Sequence, residues 1–271
     1  MQREGVAGGD HRIRLEAGLM KTYKLYAFDL DGVLFRGSDP ISGAIEAIQA
    51  LRETRAHIRF LTNNSSYTRV QHAEKLSSLG FQADAAEVVS SASVAANLLS
   101  EQTVYVVGEP GLHEELRSEG CRIVTQEDAG WVVVGIKWNV TYDDIDEAQW
   151  RIRSGAKFLA TNLDATYPLE GGRLRPGAGS IVAAVATAAG KTPDVVAGKP
   201  SPKMILPLLA ELSLHPDEAL IVGDRVDTDV ACARAAGCDS LLVLSGVTTN
   251  ISADARPRPT YVLPSVAGML G

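Results

Sequence analysis

Four short polar segments of the chain contain carboxylates, a hydroxyl group and a lysine, and each follows a run that is typical of a β-strand. In chain order they read Asp29-Leu30-Asp31-Gly32, Thr62-Asn63-Asn64, Gly198-Lys199-Pro200 and Gly223-Asp224-Arg225-Val226-Asp227-Thr228-Asp229. Ligands of an open parallel sheet bind in the crevice beyond the carboxyl ends of its strands. We therefore expect the four segments to meet in one crevice.

The charges of these segments do not balance by themselves. Asp29, Asp31, Asp224 and Asp229 would bring up to four negative charges together, and only Lys199 opposes them. Like carboxylates at close range do not all stay ionised without compensation. A divalent cation supplies it, and oxygen-only ligands favour a hard ion such as Mg²⁺ over Zn²⁺. With Mg²⁺, Lys199 and a protonated Asp31, the site can accept a phosphate dianion.

Phosphoryl transfer is the chemistry that this set of groups suits. A carboxylate can attack phosphorus and form an acyl phosphate, which divides one hard displacement into two easier ones. Charge on the phosphoryl oxygens must be neutralised, which Lys199, the Thr62 hydroxyl and free backbone N–H groups of the turn at 31–33 can do. Asp31 lies two residues after Asp29, on the same side of an extended backbone, so it can protonate the leaving oxygen and then activate water.

The segments that carry these residues alternate between strand-like and helical patterns. Strands are predicted over 24–30, 58–61, 194–197, 219–222 and 240–244, and helices over 43–54, 69–79, 203–212 and 227–236. This order indicates an α/β fold with a Rossmann-like parallel sheet and helices on both faces. The middle of the chain predicts a second α/β unit, with strands over 103–107, 131–136 and 157–160 and helices over 112–119, 142–153 and 180–189.

Composition excludes several classes of partner. The chain has 271 residues and a net charge of −7, which argues against binding to nucleic acid or to an anionic membrane. No apolar stretch is long enough to span a bilayer. Cys121, Cys232 and Cys238 form no CxxC pair, so neither a disulfide framework nor a zinc site is indicated, and a reducing cytoplasm is expected. Residues 1–19 are predicted to be a flexible leader, because they show no hydrophobic period.

The strings DLDGVL, LTNNSS, GKPSP and VGDRVDTD, in that order, closely resemble the four motifs of the haloacid dehalogenase-like (HAD) phosphatase superfamily. The resemblance extends from Tyr26 essentially to the C-terminus. It implies Mg²⁺-dependent hydrolysis of a small phosphorylated metabolite, a phosphate monoester, through an aspartyl-phosphate intermediate.

The resemblance also implies a role for each matching residue. Asp29 matches the nucleophile and Asp31 the general acid and base. The metal would be held by the Asp29 carboxylate, the Asp31 carbonyl and Asp224, while Asp229 would support Lys199 or a metal-bound water. The residues expected at the phosphate are Gly32, Thr62, Asn63 and Lys199.

The position of the inserted unit narrows the family. Only 31 positions separate Asp31 from Thr62, whereas 137 separate Thr62 from Lys199, so the insertion follows the second motif. This is similar to the NagD and p-nitrophenylphosphatase-like class, with a core over 20–100 and 193–271 and an α/β cap domain over 101–192. Leu163 stands where the class usually has proline, and its neighbours Asn162 and Asp164 are candidate substrate contacts. Caps of this class often pair, so a homodimer through the cap is expected.

Two alternatives remain open from the residues. A phosphotransferase or mutase would share the motifs, although mutases more often carry the cap between the first two motifs. A non-catalytic Mg²⁺-binding interaction protein would normally have lost one of Asp29, Asp31, Lys199 or Asp224, and all four are present.

Overall fold

The computed structural model describes residues 20–168, 173–252 and 254–270. The leader predicted over residues 1–19 lies outside the described residues. The strands are β1 (Leu25–Asp29), β2 (Phe35–Arg36), β3 (Asp39–Pro40), β4 (His57–Thr62), β5 (Val88–Ser90), β6 (Thr103–Val107), β7 (Arg122–Ile123), β8 (Trp131–Val134), β9 (Lys157–Ala160), β10 (Thr166–Pro168), β11 (Leu174–Pro176), β12 (Val195–Val196), β13 (Ala219–Gly223), β14 (Asp239–Val243) and β15 (Tyr261–Leu263).

The helices separate the strands along the chain, as the alternating pattern predicts. The α-helices are α1 (Ala44–Glu53), α2 (Arg69–Ser78), α3 (Ser91–Leu98), α4 (Pro110–Ser118), α5 (Tyr142–Arg153), α6 (Ala178–Ala189), α7 (Leu206–Glu211) and α8 (Ala231–Ala236). Short 3-10 helices cover Ala85–Glu87, Pro202–Met204, Pro216–Glu218 and Val266–Leu270, and a single π-helical turn covers Val226–Val230. Each of these described helices is too short or too polar to cross a membrane.

The larger sheet has six parallel strands in the order β15-β14-β13-β1-β4-β5. Its central strand β1 is buried on both faces, which is why it reads as a continuous apolar run rather than an alternating one. One cluster of buried side chains joins a face of this sheet to α1 and α2, and another joins the opposite face to α3, α7 and α8. The predicted fold class, a parallel sheet covered on both faces, is confirmed.

The smaller sheet has five parallel strands in the order β12-β9-β8-β6-β7. Helices α5 and α6 cover one face, and the other face shares a core with α3 and the larger sheet. Val195 pairs with Leu159, so β12 belongs to this sheet, whereas the sequence predicts it as a strand of the core over 193–271. A two-residue strand has no period of its own, and we propose that the boundary between core and cap falls after Val196.

Helix α3 and strands β5 and β15 were not predicted. The α3 sequence, Ser-Ala-Ser-Val-Ala-Ala-Asn-Leu, has no clear apolar stripe because its small residues are buried on most sides. A reciprocal pair of hydrogen bonds between Ser90 and Ser93 begins the helix. The packing between the two sheets, rather than helix propensity, therefore determines this element.

Candidate active site

The strand register brings three of the predicted site residues to one edge of the larger sheet. Asp29 ends β1 opposite Leu61 of β4, so Thr62 lies one residue further along the neighbouring strand. On the other side Phe28 is opposite Val222 of β13, which places Asp224 just beyond the strand end. The expected convergence at the carboxyl ends of the strands is found.

Lys199 joins this edge and is buried between two carboxylates. Its Nζ lies 2.5 Å from Asp29 Oδ1 and 2.7 Å from Asp229 Oδ1. Burial alone would lower the pKa of Lys199, but the charges of Asp229 and Asp29 raise it above its ordinary value. The Lys199 side chain therefore stays a cation in this buried position.

Three carboxylates come close enough to share a metal ion within the part of the chain that the structure describes. Oxygens of Asp29, Asp224 and Asp229 all lie within 4.8 Å of one another. Burial raises the pKa of Asp29 well above its ordinary value, although Lys199 opposes this. Burial and the charge of Asp229 also raise the pKa of Asp224 to about 6. One ammonium does not balance this charge, so a bound cation would stabilise the ionised carboxylates.

Asp224 is held by a loop that the sequence analysis did not include. The Val247 N–H donates to Asp224 Oδ2 at 2.5 Å, and the neighbouring Gly246 leaves no room for a side chain against the same carboxylate. Gly32, in the turn after β1, also lies against this carboxylate, since a Cβ at Gly32 would lie 2.5 Å from Asp224 Oδ2. The φ of Gly32 is +84°. A backbone donor can belong to any residue type, so no sequence signal identifies Val247.

Gly32 has a different role from the one predicted. Its N–H donates to the Phe35 carbonyl at 2.8 Å, and the Val33 N–H donates to the Leu30 carbonyl at 3.3 Å. The sequence predicts free N–H groups over 31–33, but those of Gly32 and Val33 are engaged within the turn, which corrects the expected contact of the Gly32 N–H with phosphate. Gly32 instead permits the left-handed turn and its close approach to Asp224.

Asp31 lies at the solvent-accessible side of the site. Surrounding protein atoms partly exclude bulk water and raise the pKa of Asp31 above its ordinary value, while Lys75 and Lys199 oppose this shift. Its carboxylate is not among the three that cluster, and metal binding through its carbonyl stays a prediction. A carboxyl group with a raised pKa is suited to carrying a proton.

Thr62 is buried, and a hydrogen bond from helix α2 holds the loop that follows it. The Thr62 Oγ1 accepts a hydrogen bond from the Asn64 N–H at 3.1 Å, which leaves the hydroxyl proton free for donation. His72 Nε2 of α2 lies 3.2 Å from the Asn64 carbonyl. Since a carbonyl only accepts, Nε2 carries a proton and the ring is the donor.

The buried His72 makes the free energy of unfolding depend on pH. Burial is the main cause that lowers its pKa from 6.5 to about 4, with the hydrogen bond to Asn64 opposing the shift and the charge of Lys75 adding to it. As the pH falls, the unfolded chain takes up a proton at this position before the folded chain does. The free energy of unfolding is therefore about 3 kcal/mol higher above the unfolded pKa, and this stability is lost as the pH falls to the folded pKa. In chemical denaturation from pH 7 to 4, His72→Gln should flatten the profile by about that amount. The control is His215→Gln at an exposed site, and equal profiles for the protein and His72→Gln would contradict this expectation.

Asn63 meets the loop between β9 and β10, residues 161–165, beside Lys199; this loop is called the cap loop below. Asn63 Oδ1 accepts from the Lys199 N–H at 2.8 Å, and its Nδ2 donates to the Lys199 carbonyl and to Asp164 Oδ2, each at 3.0 Å. Asn162 Nδ2 donates to the Asn63 carbonyl at 2.6 Å. The Asn63 side chain is thus engaged within the protein rather than directed to a phosphate. Asn162 and Asp164 do lie at the site, and their contact with substrate stays a prediction.

Comparison with protein families agrees with this geometry. Residues 26–122 match the haloacid dehalogenase-like hydrolase model and residues 196–269 match a HAD-hydrolase-like model. An acid sugar phosphatase of Staphylococcus epidermidis is 39% identical over 248 residues, which are 89% of this chain and 95% of that protein.

Solved structures of similar proteins have the same fold. A p-nitrophenyl phosphatase from Archaeoglobus fulgidus matches with a TM-score of 0.87 and 34% identity over 92% of this chain and 99% of that one. A glycerol phosphate phosphatase from Mycobacterium tuberculosis in complex with magnesium matches with a TM-score of 0.84 and 37% identity over 95% of this chain and 78% of that one. The shared motifs, fold and inserted second sheet show that the chain belongs to the haloacid dehalogenase-like hydrolases, as a phosphohydrolase of the NagD and p-nitrophenylphosphatase-like class.

Proposed function

We propose that this phosphohydrolase is Mg²⁺-dependent and cleaves small phosphate monoesters through an aspartyl-phosphate on Asp29. The observation that carries this proposal is the Asp29 carboxylate, which lies 2.5 Å from Lys199 Nζ and within one group of acidic oxygens. The similar proteins are described as acid sugar, p-nitrophenyl and glycerol phosphate phosphatases, which supports a small monoester as the substrate.

Each protein group has a place in a two-step reaction. The Asp29 carboxylate attacks phosphorus, and Asp31 gives its proton to the leaving oxygen as the ester bond breaks. The Asp31 carboxylate then takes a proton from water, which attacks the acyl phosphate and releases inorganic phosphate and free Asp29. Lys199 and the Thr62 hydroxyl stabilise the charge on the phosphoryl oxygens in both steps.

The donor set fits Mg²⁺. It consists of carboxylate oxygens with no histidine or cysteine in the group, and hard oxygen donors suit Mg²⁺. The Asp29 and Asp224 carboxylates and the Asp31 carbonyl would hold the ion, with Asp229 supporting Lys199 beside it. When bound, Mg²⁺ would neutralise charge on Asp29 and on the phosphoryl oxygens.

Mg²⁺ should stabilise the folded protein through Asp224. At about 100 times the Kd, a ligand that binds only the folded state raises the free energy of unfolding by about 2.7 kcal/mol. We expect this rise for the protein and for Asp217→Asn, an exposed control, and its loss in Asp224→Asn. Chemical denaturation with and without MgCl₂ measures it, and an undiminished rise in Asp224→Asn would place the ion elsewhere.

Hydrolysis of p-nitrophenyl phosphate with and without EDTA tests the proposed function. We expect turnover that requires Mg²⁺, followed by measurable kcat/KM for at least one member of a panel of sugar phosphates, glycerol phosphate, phosphoglycolate, pyridoxal phosphate and nucleoside monophosphates. Absence of turnover across the panel would refute the proposal. Addition of alcohol acceptors distinguishes hydrolysis from phosphotransfer, because a phosphotransferase would form a new ester.

We also propose a cellular location and an oligomeric state for the enzyme. A cytoplasmic location agrees with the three cysteines, all of which carry free thiols. A homodimer through the cap stays a prediction that light scattering measures directly.

A further inference from the structure

The Asn63 side chain pairs with the peptide groups of Lys199 as a neighbouring strand would. Its Oδ1 accepts from the Lys199 N–H at 2.8 Å, and its Nδ2 donates to the Lys199 carbonyl at 3.0 Å. The two bonds form a closed ring between one side-chain amide and the main-chain groups of one residue. Because the Lys199 N–H can only donate, the atom facing it must be the Asn63 oxygen, which determines the orientation of the amide.

The same amide nitrogen also reaches the inserted unit. Its other hydrogen bond goes to Asp164 Oδ2 at 3.0 Å, in the loop that follows β9. Asn162 of this loop donates to the Asn63 carbonyl at 2.6 Å, and Ser91 Oγ donates to the same carbonyl at 2.7 Å. Asn63 therefore connects the motif after β4, the backbone of Lys199 and the cap loop.

The segment Gly198-Lys199-Pro200 lies so close to Asn63 that little space is left for another orientation of the Lys199 backbone. A Cβ at Gly198 would lie 2.5 Å from Asn63 Oδ1 and 2.7 Å from the Thr161 carbonyl. Glycine at this position lets the Lys199 backbone lie against Asn63 and the end of β9 at the same time. The position of the Lys199 ammonium against Asp29 thus depends on a backbone that Asn63 and the cap loop hold together.

We infer that Asn63 is a positioning residue that couples the cap loop to the catalytic cation: Asp164 orients the Asn63 amide, and the amide fixes the backbone from which Lys199 reaches Asp29. The inference rests on the proposed function and deepens it, because it makes phosphoryl transfer depend on the seating of the cap loop. Asp164 then acts on the phosphoryl group that all substrates share, not on the leaving group that differs between them.

This distinction determines the experiment. Asp164→Ala removes the acceptor for the Asn63 amide, and we expect kcat to fall about 10-fold with KM changed less than about twofold. The fall should be equal for p-nitrophenyl phosphate and acetyl phosphate, whose leaving groups differ in size and chemistry. Asp164→Asn retains a carbonyl oxygen that can accept from Asn63, so its kcat should fall less than that of Asp164→Ala.

A change at the other end of the hydrogen bond gives a second test. In Asn63→Asp both side-chain atoms are acceptors, so the bonds to the Lys199 carbonyl and to Asp164 are lost, and kcat should fall about 100-fold. Combining Asn63→Asp with Asp164→Asn restores a donor and an acceptor in reversed order, so kcat should recover about 10-fold. Because Asp164→Asn also relieves the repulsion between the two carboxylates, recovery in the double variant shows that positions 63 and 164 act through direct contact. Asp143→Ala, at an exposed aspartate of the same lobe, is the matched control, and melting temperatures verify folding.

Several outcomes would overturn the inference. One is an unchanged kcat in Asp164→Ala, and another is a loss confined to KM or to one of the two substrates, which would make Asp164 a substrate contact. The Asp164 variants decide the matter even where Asn63→Asp does not fold. If the unmodified protein hydrolyses neither substrate, the proposed function fails and this inference with it, whereas normal turnover with insensitive Asp164 variants refutes the inference alone.

Discussion

Replacing Asp29 by Asn is expected to lower kcat for p-nitrophenyl phosphate by at least about 10⁴-fold, because an amide cannot take the place of the attacking carboxylate. Asparagine has nearly the same shape and keeps an oxygen that can accept from Lys199. Lys199 also keeps its ion pair with Asp229, at 2.7 Å, so the fold should survive. Steady-state kinetics give kcat, and acid-quenched protein shows whether any phosphate remains covalently bound.

The matched control for this experiment is Asp217→Asn. Asp217 is exposed and lies before β13, at the opposite edge of the larger sheet from the site. Asp217→Asn makes the same chemical change as Asp29→Asn and should leave kcat within about twofold of the unmodified protein. A residual rate in Asp29→Asn above about 1% of the unmodified protein, with acid-stable phospho-protein still forming, would exclude Asp29 as the nucleophile.

The larger sheet and its site edge were predictable because their signals are local. Strand β1 is an apolar run that ends in Asp29, β4 ends in Thr62, and β13 ends just before Asp224. Parallel pairing then brings three such ends to one edge without further information. The resemblance of the four ordered motifs to a known family implies the roles of the site residues, and the matched family models agree with that resemblance.

What was missed depends on contacts that no local pattern encodes. Helix α3 is formed from small residues selected by packing between two sheets, and β12 is recognisable only by its partner β9. The Val247 N–H that holds Asp224 belongs to the main chain of a loop far along the sequence. Sequence reasoning can identify which side chains carry the chemistry, but backbone donors follow from the tertiary structure.

Asn63 shows the same limit at a residue that was identified. Its place beside Thr62 suggested a phosphate ligand, whereas its side chain pairs with Lys199 and Asp164 instead. The side chain of an asparagine mimics a peptide group, so it is equally suited to either use. Only the register between the core motif and the cap loop determines which one occurs.

Replacing Asp31 by Asn is expected to divide the two chemical steps. The amide neither protonates a leaving oxygen nor deprotonates water, so kcat should fall about 10³-fold. p-Nitrophenolate leaves with little need of a proton, so phosphorylation of Asp29 should remain fast while breakdown of the acyl phosphate is slow. Rapid-quench experiments should therefore show a burst of p-nitrophenol equal to the enzyme concentration, and phospho-protein should accumulate.

An alkyl ester such as glycerol phosphate should behave differently in the same variant. Its alkoxide is a poor leaving group without a proton from Asp31, so the first step becomes slow and no phospho-protein should accumulate. Asp128→Asn, at an exposed loop aspartate, controls for the chemical change and should show neither effect. A burst with both esters, or with neither, would remove Asp31 from the proton transfer. A burst with the aryl ester alone would assign both proton transfers to one carboxyl group whose pKa is raised by its protein surroundings.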